Sequence, residues 1–330
     1  MFHLSNVVQF VRWYDIHAIS CRIVSNHRDI FPLLDETVGY FACSERISPP
    51  CVTLNVSLLA GHEFPASYSA LAWKELWKTT EVACAACGDA LLFEYTGKGY
   101  CVIDLTHGSS QVCLKTPDSM AALRQRCREM VLPCLFWLIH GKGRCRIHAA
   151  AVSSQGRGIV IAGMSGQGKT TVLLHLLRAG VSYMADDAVF LRERQPSPEI
   201  LALPGYIGVS AQIAAWFPEL RDLLKEAAPD ARGKYRLNVA PIYQRPPVRA
   251  APPALLIFPE ITPAENSILS PLPKMEAALR LFPENVFPID RQIGRQHFHL
   301  LSRLIQAVQC YHLRLGRDMQ SIAPQILERL

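Results

Sequence analysis

The stretch Ile159-Val160-Ile161-Ala162-Gly163-Met164-Ser165-Gly166-Gln167-Gly168-Lys169-Thr170-Thr171 decides the fold. Its first four residues are β-branched or small and apolar, the composition of a short buried strand. Gly163 to Thr170 then fits G-x-x-x-x-G-K-[ST] completely. That pattern has a physical basis. Backbone N–H groups must turn inward around a phosphate, which takes dihedrals and close approaches that glycine permits. A helix following the loop aims its N-terminal dipole at the same oxygens. A lysine adds a point charge on the β- and γ-phosphates, and a hydroxyl can ligate magnesium. An accidental match would arise in roughly one chain in a hundred of this length. Here a strand candidate precedes and Lys169 to Arg178 has helical composition, with Gly180 placed to end it. The expected donor-binding residues are Gly163, Ser165, Gly166, Gln167, Gly168, Lys169, Thr170 and Thr171. The expected ligands are a nucleotide (ATP, or GTP or pyrophosphate in its place) and magnesium.

Working outward, Val181 to Met184 leads into Asp186 and Asp187, which stand 17 and 18 residues past Lys169. Adjacent carboxylates repel and are costly when buried without a cation, so a divalent ion is the natural third partner. A returning strand after Gly180 puts the pair beside the loop. Upstream, Ile147 to Val152 is predicted as one strand carrying His148. Gln155-Gly156-Arg157-Gly158 is a turn joining it to the loop strand. A lone histidine on such a strand is by spacing more often structural than catalytic. Arg232, Lys234 and Arg236 alternate, so an extended segment sets them on one face, either beside phosphates or in solvent.

The rest of the chain bounds the answer. Half of its 330 residues are hydrophobic, enough for one large core or two ordinary domains. The net charge of +6 is mild and spread without a run of five basic residues, so no nucleic-acid partner is expected. Met130 to Ile139 is the most apolar stretch and is about half as long as a membrane helix requires. The N-terminus lacks the charged segment and apolar run of a signal peptide. These readings predict a cytoplasmic protein with no membrane partner. Eleven cysteines, an odd number over a long chain, are expected as reduced structural thiols. Cys84 and Cys87 form a single CxxC without a second pair to complete a zinc site.

Residues 1–140 are predicted to form a variable α+β domain. Val52 to Leu58 is a strand. Leu91 to Tyr95 and Tyr100 to Leu105 form a hairpin about Thr96-Gly97-Lys98-Gly99, and 117–139 is one helix kinked at Pro133. Residues 141–330 are predicted to form the second domain. Within it, Ala254 to Phe258 is a strand, while Lys274 to Leu281 and Gln296 to Val308 are helical.

The combined pattern resembles the HPr kinase/phosphorylase family and its relatives, which share a core with phosphoenolpyruvate carboxykinase. The resemblance is carried by Ile147-His148-Ala149-Ala150-Ala151-Val152, Gly163 to Thr171, Leu177-Arg178-Ala179-Gly180 and Ala185-Asp186-Asp187, within a span of about 45 residues, 147–192. It implies an α/β, phosphoenolpyruvate-carboxykinase-like P-loop core with a mixed sheet. It implies Asp186 as general base with His148 tuning it, Lys169 on the transferred phosphate, and magnesium on Thr170 and Asp187. The two aspartate roles can be exchanged. It also implies Arg232, Lys234 and Arg236 near that phosphate. Leu203-Pro204-Gly205-Tyr206-Ile207-Gly208-Val209 occupies the place of a family glycine motif but lacks its arginine and glutamate. With the unfamiliar first 140 residues, this departure points away from HPr as the acceptor. It points toward divergent members, among them serine kinases that tailor peptides of the lasso type. The expected reaction is transfer of the γ-phosphate of ATP to a serine of a peptide or small protein. The alternatives are a small-metabolite kinase, a carboxykinase, or a nucleotide-binding regulatory module without turnover. A homo-oligomer is compatible with the family.

Overall fold

A hydrophobic pattern that switches between period 2 and period 3.6 along the chain yields a mixed α/β protein. The computed structural model describes residues 8–44, 49–59, 71–230, 232–285 and 291–330. Residues 1–7, half of the N-terminal stretch read above, lie outside them. The chain divides into two units, Met1–Lys142 and Gly143–Leu330.

The first unit is built on a nine-stranded mixed sheet. Its strands are β1 (Phe10–Ile16), β2 (Ile19–Ser25), β3 (Ala42–Cys43), β4 (Val52–Leu59), β5 (Lys74–Lys78), β6 (Val82–Cys87), β7 (Ala90–Tyr95), β8 (Gly99–Asp104) and β9 (Ser109–Lys115). They are ordered β3-β1-β2-β4-β9-β8-β7-β6-β5, with β4 parallel to both its neighbours. The Gly97 turn joins β7 and β8 in the antiparallel register expected of it. Helix α1 (Ile30–Val38) follows β2. Helix α2 (Met120–Arg126) begins at Ser119, whose Oγ accepts the Ala122 N–H at 3.2 Å. The single helix predicted over 117–139 continues through a π segment at Cys127–Val131 into α3 (Leu132–His140). The irregularity therefore lies before Pro133. That residue has no N–H to offer the preceding turn, and Leu132 N–H reaches five residues back to Cys127 O. Cys84 and Cys87 lie three positions apart on β6, so they point to opposite faces of the sheet and cannot share a ligand.

The second unit positions the site. Its central sheet is ordered β13-β11-β12-β19-β21-β20, with β11 (Ala149–Ser154), β12 (Arg157–Ala162), β13 (Ser182–Ala185), β19 (Pro253–Ile261), β20 (Ile268–Pro271) and β21 (Gln309–Leu315). Strands β12, β19 and β21 run parallel. Strand β11 is antiparallel to both β12 and β13, so β13 runs the same way as β12. The carboxyl ends of β12, β13, β19 and β21 thus share one edge with the start of β11. A smaller sheet joins β10 (Arg144–Ile147), β14 (Val189–Arg192), β15 (Glu199–Leu201) and β18 (Ala250–Ala251). A third pairs β16 (Ile207–Ser210) with β17 (Lys234–Leu237).

The strand predicted over Ile147–Val152 is broken. Ile147 ends β10 opposite Val189, Ala149 begins β11 opposite Ala162, and His148 stands in the gap between two sheets. Helix α4 (Lys169–Arg178) follows the glycine loop. Val172, Leu173, Leu176 and Leu177 pack with Ile159, Ile161, Leu255 and Leu313 in one core, and Phe217 and Ile322 join them. Each such side chain contributes about 1.5–3 kcal/mol by leaving water. The helix ends in a Schellman motif. Gly180 (φ +83) donates to Leu177 O at 2.9 Å and Val181 to Leu176 O at 3.1 Å. Beyond it lie α5 (Ala211–Ala215), α6 (Arg221–Glu226), α7 (Ala240–Tyr243), α8 (Lys274–Leu281), α9 (Arg291–Ala307) and α10 (Ile322–Leu327). Among the described residues, no helix is long and apolar enough to cross a membrane.

Candidate active site

The loop from Gly163 to Gly168 owes its shape to left-handed glycines. Gly163 (φ +142) leaves room for the Gln167 amide, whose Oε1 accepts the Met164 N–H at 2.7 Å. At Gly168 (φ +100), just before α4, a Cβ would strike Leu315. The loop is therefore tied across itself by Gln167. Ser165 and Gly166 are exposed at its tip, and Thr171 is buried on the helix.

Lys169 is 8% exposed, and its ammonium is held from three sides. It donates to Gly163 O at 2.5 Å and to Met164 O at 3.0 Å, and it lies 3.2 Å from His148 Nε2. Burial lowers the lysine below its ordinary range, with Asp187 and Asp186 opposing. An ammonium only donates, so His148 Nε2 must accept. On the other side of that ring, Nδ1 faces Asp187 O at 3.0 Å and Asp187 Oδ1 at 3.4 Å. Both are acceptors, so the proton sits on Nδ1 and the ring is neutral. Burial lowers the histidine, and Lys169 and Arg146 add to the effect against Asp187. His148 is fixed in turn by Asn285, whose Oδ1 accepts the His148 N–H at 2.6 Å while its Nδ2 donates to Leu281 O at 2.8 Å.

The two aspartates at the end of β13 meet different surroundings. Asp186 is 7% exposed. Its Oδ1 accepts from Thr170 Oγ1 at 3.0 Å and its Oδ2 from the Gly208 N–H at 2.8 Å. Burial raises its pKa, Asp187 adds to the rise, and the Gly208 bond, Arg236 and the Thr170 bond restrain it. The Asp187 side chain is 59% exposed. Burial would raise this group, but His148, Arg146, Arg236 and Lys169 together outweigh it and hold it below the ordinary carboxylate range. Thr170 is thus paired with Asp186 rather than with Asp187, and His148 with Asp187 rather than with Asp186. These pairings correspond to the exchanged order of the two aspartates, which the resemblance leaves open.

Strand β17 brings two of the three basic candidates to the aspartates. A Cβ at Gly208 would lie 3.2 Å from Arg236 Nη1, 3.7 Å from Asp186 Oδ2 and 3.7 Å from Lys234 Cδ, so these groups converge over that glycine. Arg232 is not brought there. It is exposed in the turn before β17, with its N–H bonded to Asp230 Oδ1 at 2.9 Å.

Three contributors were not anticipated. Arg146, two residues before His148 on β10, acts on both His148 and Asp187. Gly208 acts through its backbone, although the segment containing it stood out as lacking charged residues. Asn285 lies 137 residues from the histidine that it holds, a distance at which no local pattern signals a partner.

Chemically, the site offers a buried cation at the base of a loop of turned amides, two further cations opposite, and two carboxylates with opposed pKa shifts. Thr170 Oγ1 and Asp186 Oδ1 are hard oxygens 3.0 Å apart at the start of α4, a donor pair that suits magnesium. That ion is commonly held by one or two carboxylates together with substrate phosphates.

No family model and no curated protein matches the chain. Among solved structures it is similar to the HPr(Ser) kinase/phosphatase from Coxiella burnetii, at 12% identity and a TM-score of 0.31, over 56% of this chain and 93% of that one.

Proposed function

We propose that the chain is an ATP-dependent phosphotransferase of the phosphoenolpyruvate-carboxykinase-like P-loop type, acting on a serine hydroxyl of a peptide or small protein. One observation carries the reading. Two adjacent carboxylates are driven apart, Asp186 buried and raised, Asp187 exposed and lowered. Their partners divide in the same way, with Asp186 beside the Thr170 hydroxyl, where a cation would sit, and Asp187 beside His148, which would orient it toward an acceptor hydroxyl. Asp186 and Thr170 would hold magnesium, which when bound supplies positive charge to the donor phosphates. Asp187, oriented by His148, takes the proton of the acceptor hydroxyl as its oxygen bonds to the γ-phosphorus and the bond from phosphorus to the β-phosphate oxygen breaks. A low-pKa carboxylate suffices, because phosphoryl transfer in a loose transition state needs positioning and charge more than a strong base. Lys169 now donates to two carbonyls and a neutral ring, and an anionic phosphate oxygen is a stronger acceptor than any of these. Lys234 and Arg236 face the same phosphate from the opposite side. The peptide acceptor rests on the departures from the HPr-kinase pattern, the segment Leu203 to Val209 without its arginine and glutamate and the unfamiliar first 140 residues, which point toward the peptide-tailoring relatives.

The test is thermal unfolding with magnesium and ATP, ADP, GTP or pyrophosphate, followed by a screen for phosphorylated peptides. At about 100 times its dissociation constant a ligand stabilises by roughly 2.7 kcal/mol. A magnesium-dependent rise in Tm that is lost in Lys169→Ala is the expected result. No shift with any donor would overturn the reading.

A further inference from the structure

Strand β19 is buried along the face that meets α4, until its last residue. Ile261 is 55% exposed, although it follows the same alternation as the buried Leu255 and Ile257. A single exposed isoleucine is unremarkable in itself. This one has a particular neighbourhood. It pairs with Leu315, the fully buried last residue of β21. Both approach Gly168, whose absent Cβ would strike Leu315 Cδ1 and lie 3.4 Å from Ile261 Cγ1. The position is held firmly, since Thr262 donates to Leu315 O both from its N–H at 2.9 Å and from its Oγ1 at 3.1 Å. A flat apolar step therefore stands against the last glycine of the phosphate loop. It lies at the carboxyl ends of three adjacent parallel strands, where open α/β sheets bind their ligands. Met164, within the loop, is a second exposed apolar side chain at 57%. Neither residue has a role in holding phosphate.

We propose that Ile261, backed by Leu315, is the platform for the base of the nucleotide whose phosphates occupy the loop. The inference rests on the reading of residues 163–171 as a phosphate cradle. An aliphatic step carries no hydrogen-bonding code, so it binds through the face of the ring and admits any purine. The chain then takes a nucleoside triphosphate in preference to a bare polyphosphate, which fills the cradle but leaves the step in water.

The experiment is calorimetric titration of the full chain in magnesium with ATP and, separately, with inorganic tripolyphosphate, for wild type and for Ile261→Ser. The substitution is neutral in charge and lies at a half-exposed position, so the fold is kept. Wild type should bind ATP more tightly than tripolyphosphate. Ile261→Ser should lose roughly five- to fifteenfold in ATP affinity, the worth of one to two buried methylenes, with tripolyphosphate affinity unchanged. Unaltered ATP binding in the variant would overturn the platform, and so would equal losses for both ligands, which would make Ile261 a prop for the loop. A wild type that binds neither ligand would overturn the cradle itself, a different failure.

Discussion

The two ends of helix α4 are built on opposite terms. At its start, Lys169, Thr170, His148, Asp186 and Asp187 crowd together with displaced pKa values and bonds that a ligand can replace. At its end, Arg178 is matched to permanent partners. Arg178 forms two bonds to Glu219, at 2.8 and 3.0 Å, and lies 4.4 Å from the centre of the Phe217 ring. Tyr243 OH donates to Glu219 at 3.1 Å. The His175 and Phe217 rings meet at a tilt of 59°, with their centres 4.9 Å apart. The contrast separates the part of the helix where the chemistry is proposed from the part that holds it in place. Charge left poorly compensated at one end is tolerable because the other end is fully anchored.

Substitutions can break this contrast from either side. The largest effect is expected from Phe217→Ala at the anchored end. Removing a fully buried ring costs about 3–5 kcal/mol, measured as a shift in urea midpoint, while transfer per folded molecule is preserved. Lys169→Ala should do the reverse. Its loss in turnover is expected at about 10²–10³ with the urea midpoint unchanged or raised, because a buried charge disappears. A large fall in midpoint would make Lys169 part of the scaffold.

The aspartates sharpen the comparison. Asp186 has a raised pKa in the fold, so its contribution to stability is present at low pH and is lost as pH rises through that value. Above the ordinary carboxylate range the shift works against folding, and Asp186→Asn should leave Tm level or higher while the proposed transfer is lost. Asp187 has the opposite sign. Its contribution is present above the ordinary carboxylate range and is lost as pH falls. Asp187→Asn should therefore lower stability at pH 7 by less than about 1 kcal/mol for so exposed a group, seen as a slight fall in Tm, and also lose the proposed transfer. Equal Tm changes in the two variants would remove the distinction between them.

The smallest effect concerns the anchored end in acid. Burial pushes His175 down to about 4, and His297 likewise. Between pH 6.5 and 4 the unfolded chain binds protons that the folded chain refuses, so stability falls through that window as pH is lowered. His175→Phe should make the decline of Tm shallower, and an unchanged slope would show that this residue is not its source.

The loop and the helix after it were legible because glycine conformations, a helix start and a helix stop are written locally. Lys169, Thr170 and the aspartate pair were found for the same reason. The pairing of each aspartate was not legible, since it depends on which oxygen meets Thr170 and which meets His148, and that is set by the break between β10 and β11. Apolar composition alone predicted an unbroken strand there. The face shared by Lys234 and Arg236 followed from alternation in β17, whereas Arg232 fell in the preceding turn, where period 2 no longer applies. Asn285 and Gly208 act across distances in the chain that no periodicity reaches.

The bond from His148 N–H to Asn285 Oδ1 has a consequence for how the protein comes into being. A chain emerging from the ribosome releases the glycine loop and its helix long before the residue that sets the histidine. The loop waits still longer, because Gly168 rests against Leu315, so a chain still in synthesis has neither the histidine nor the loop in its final setting.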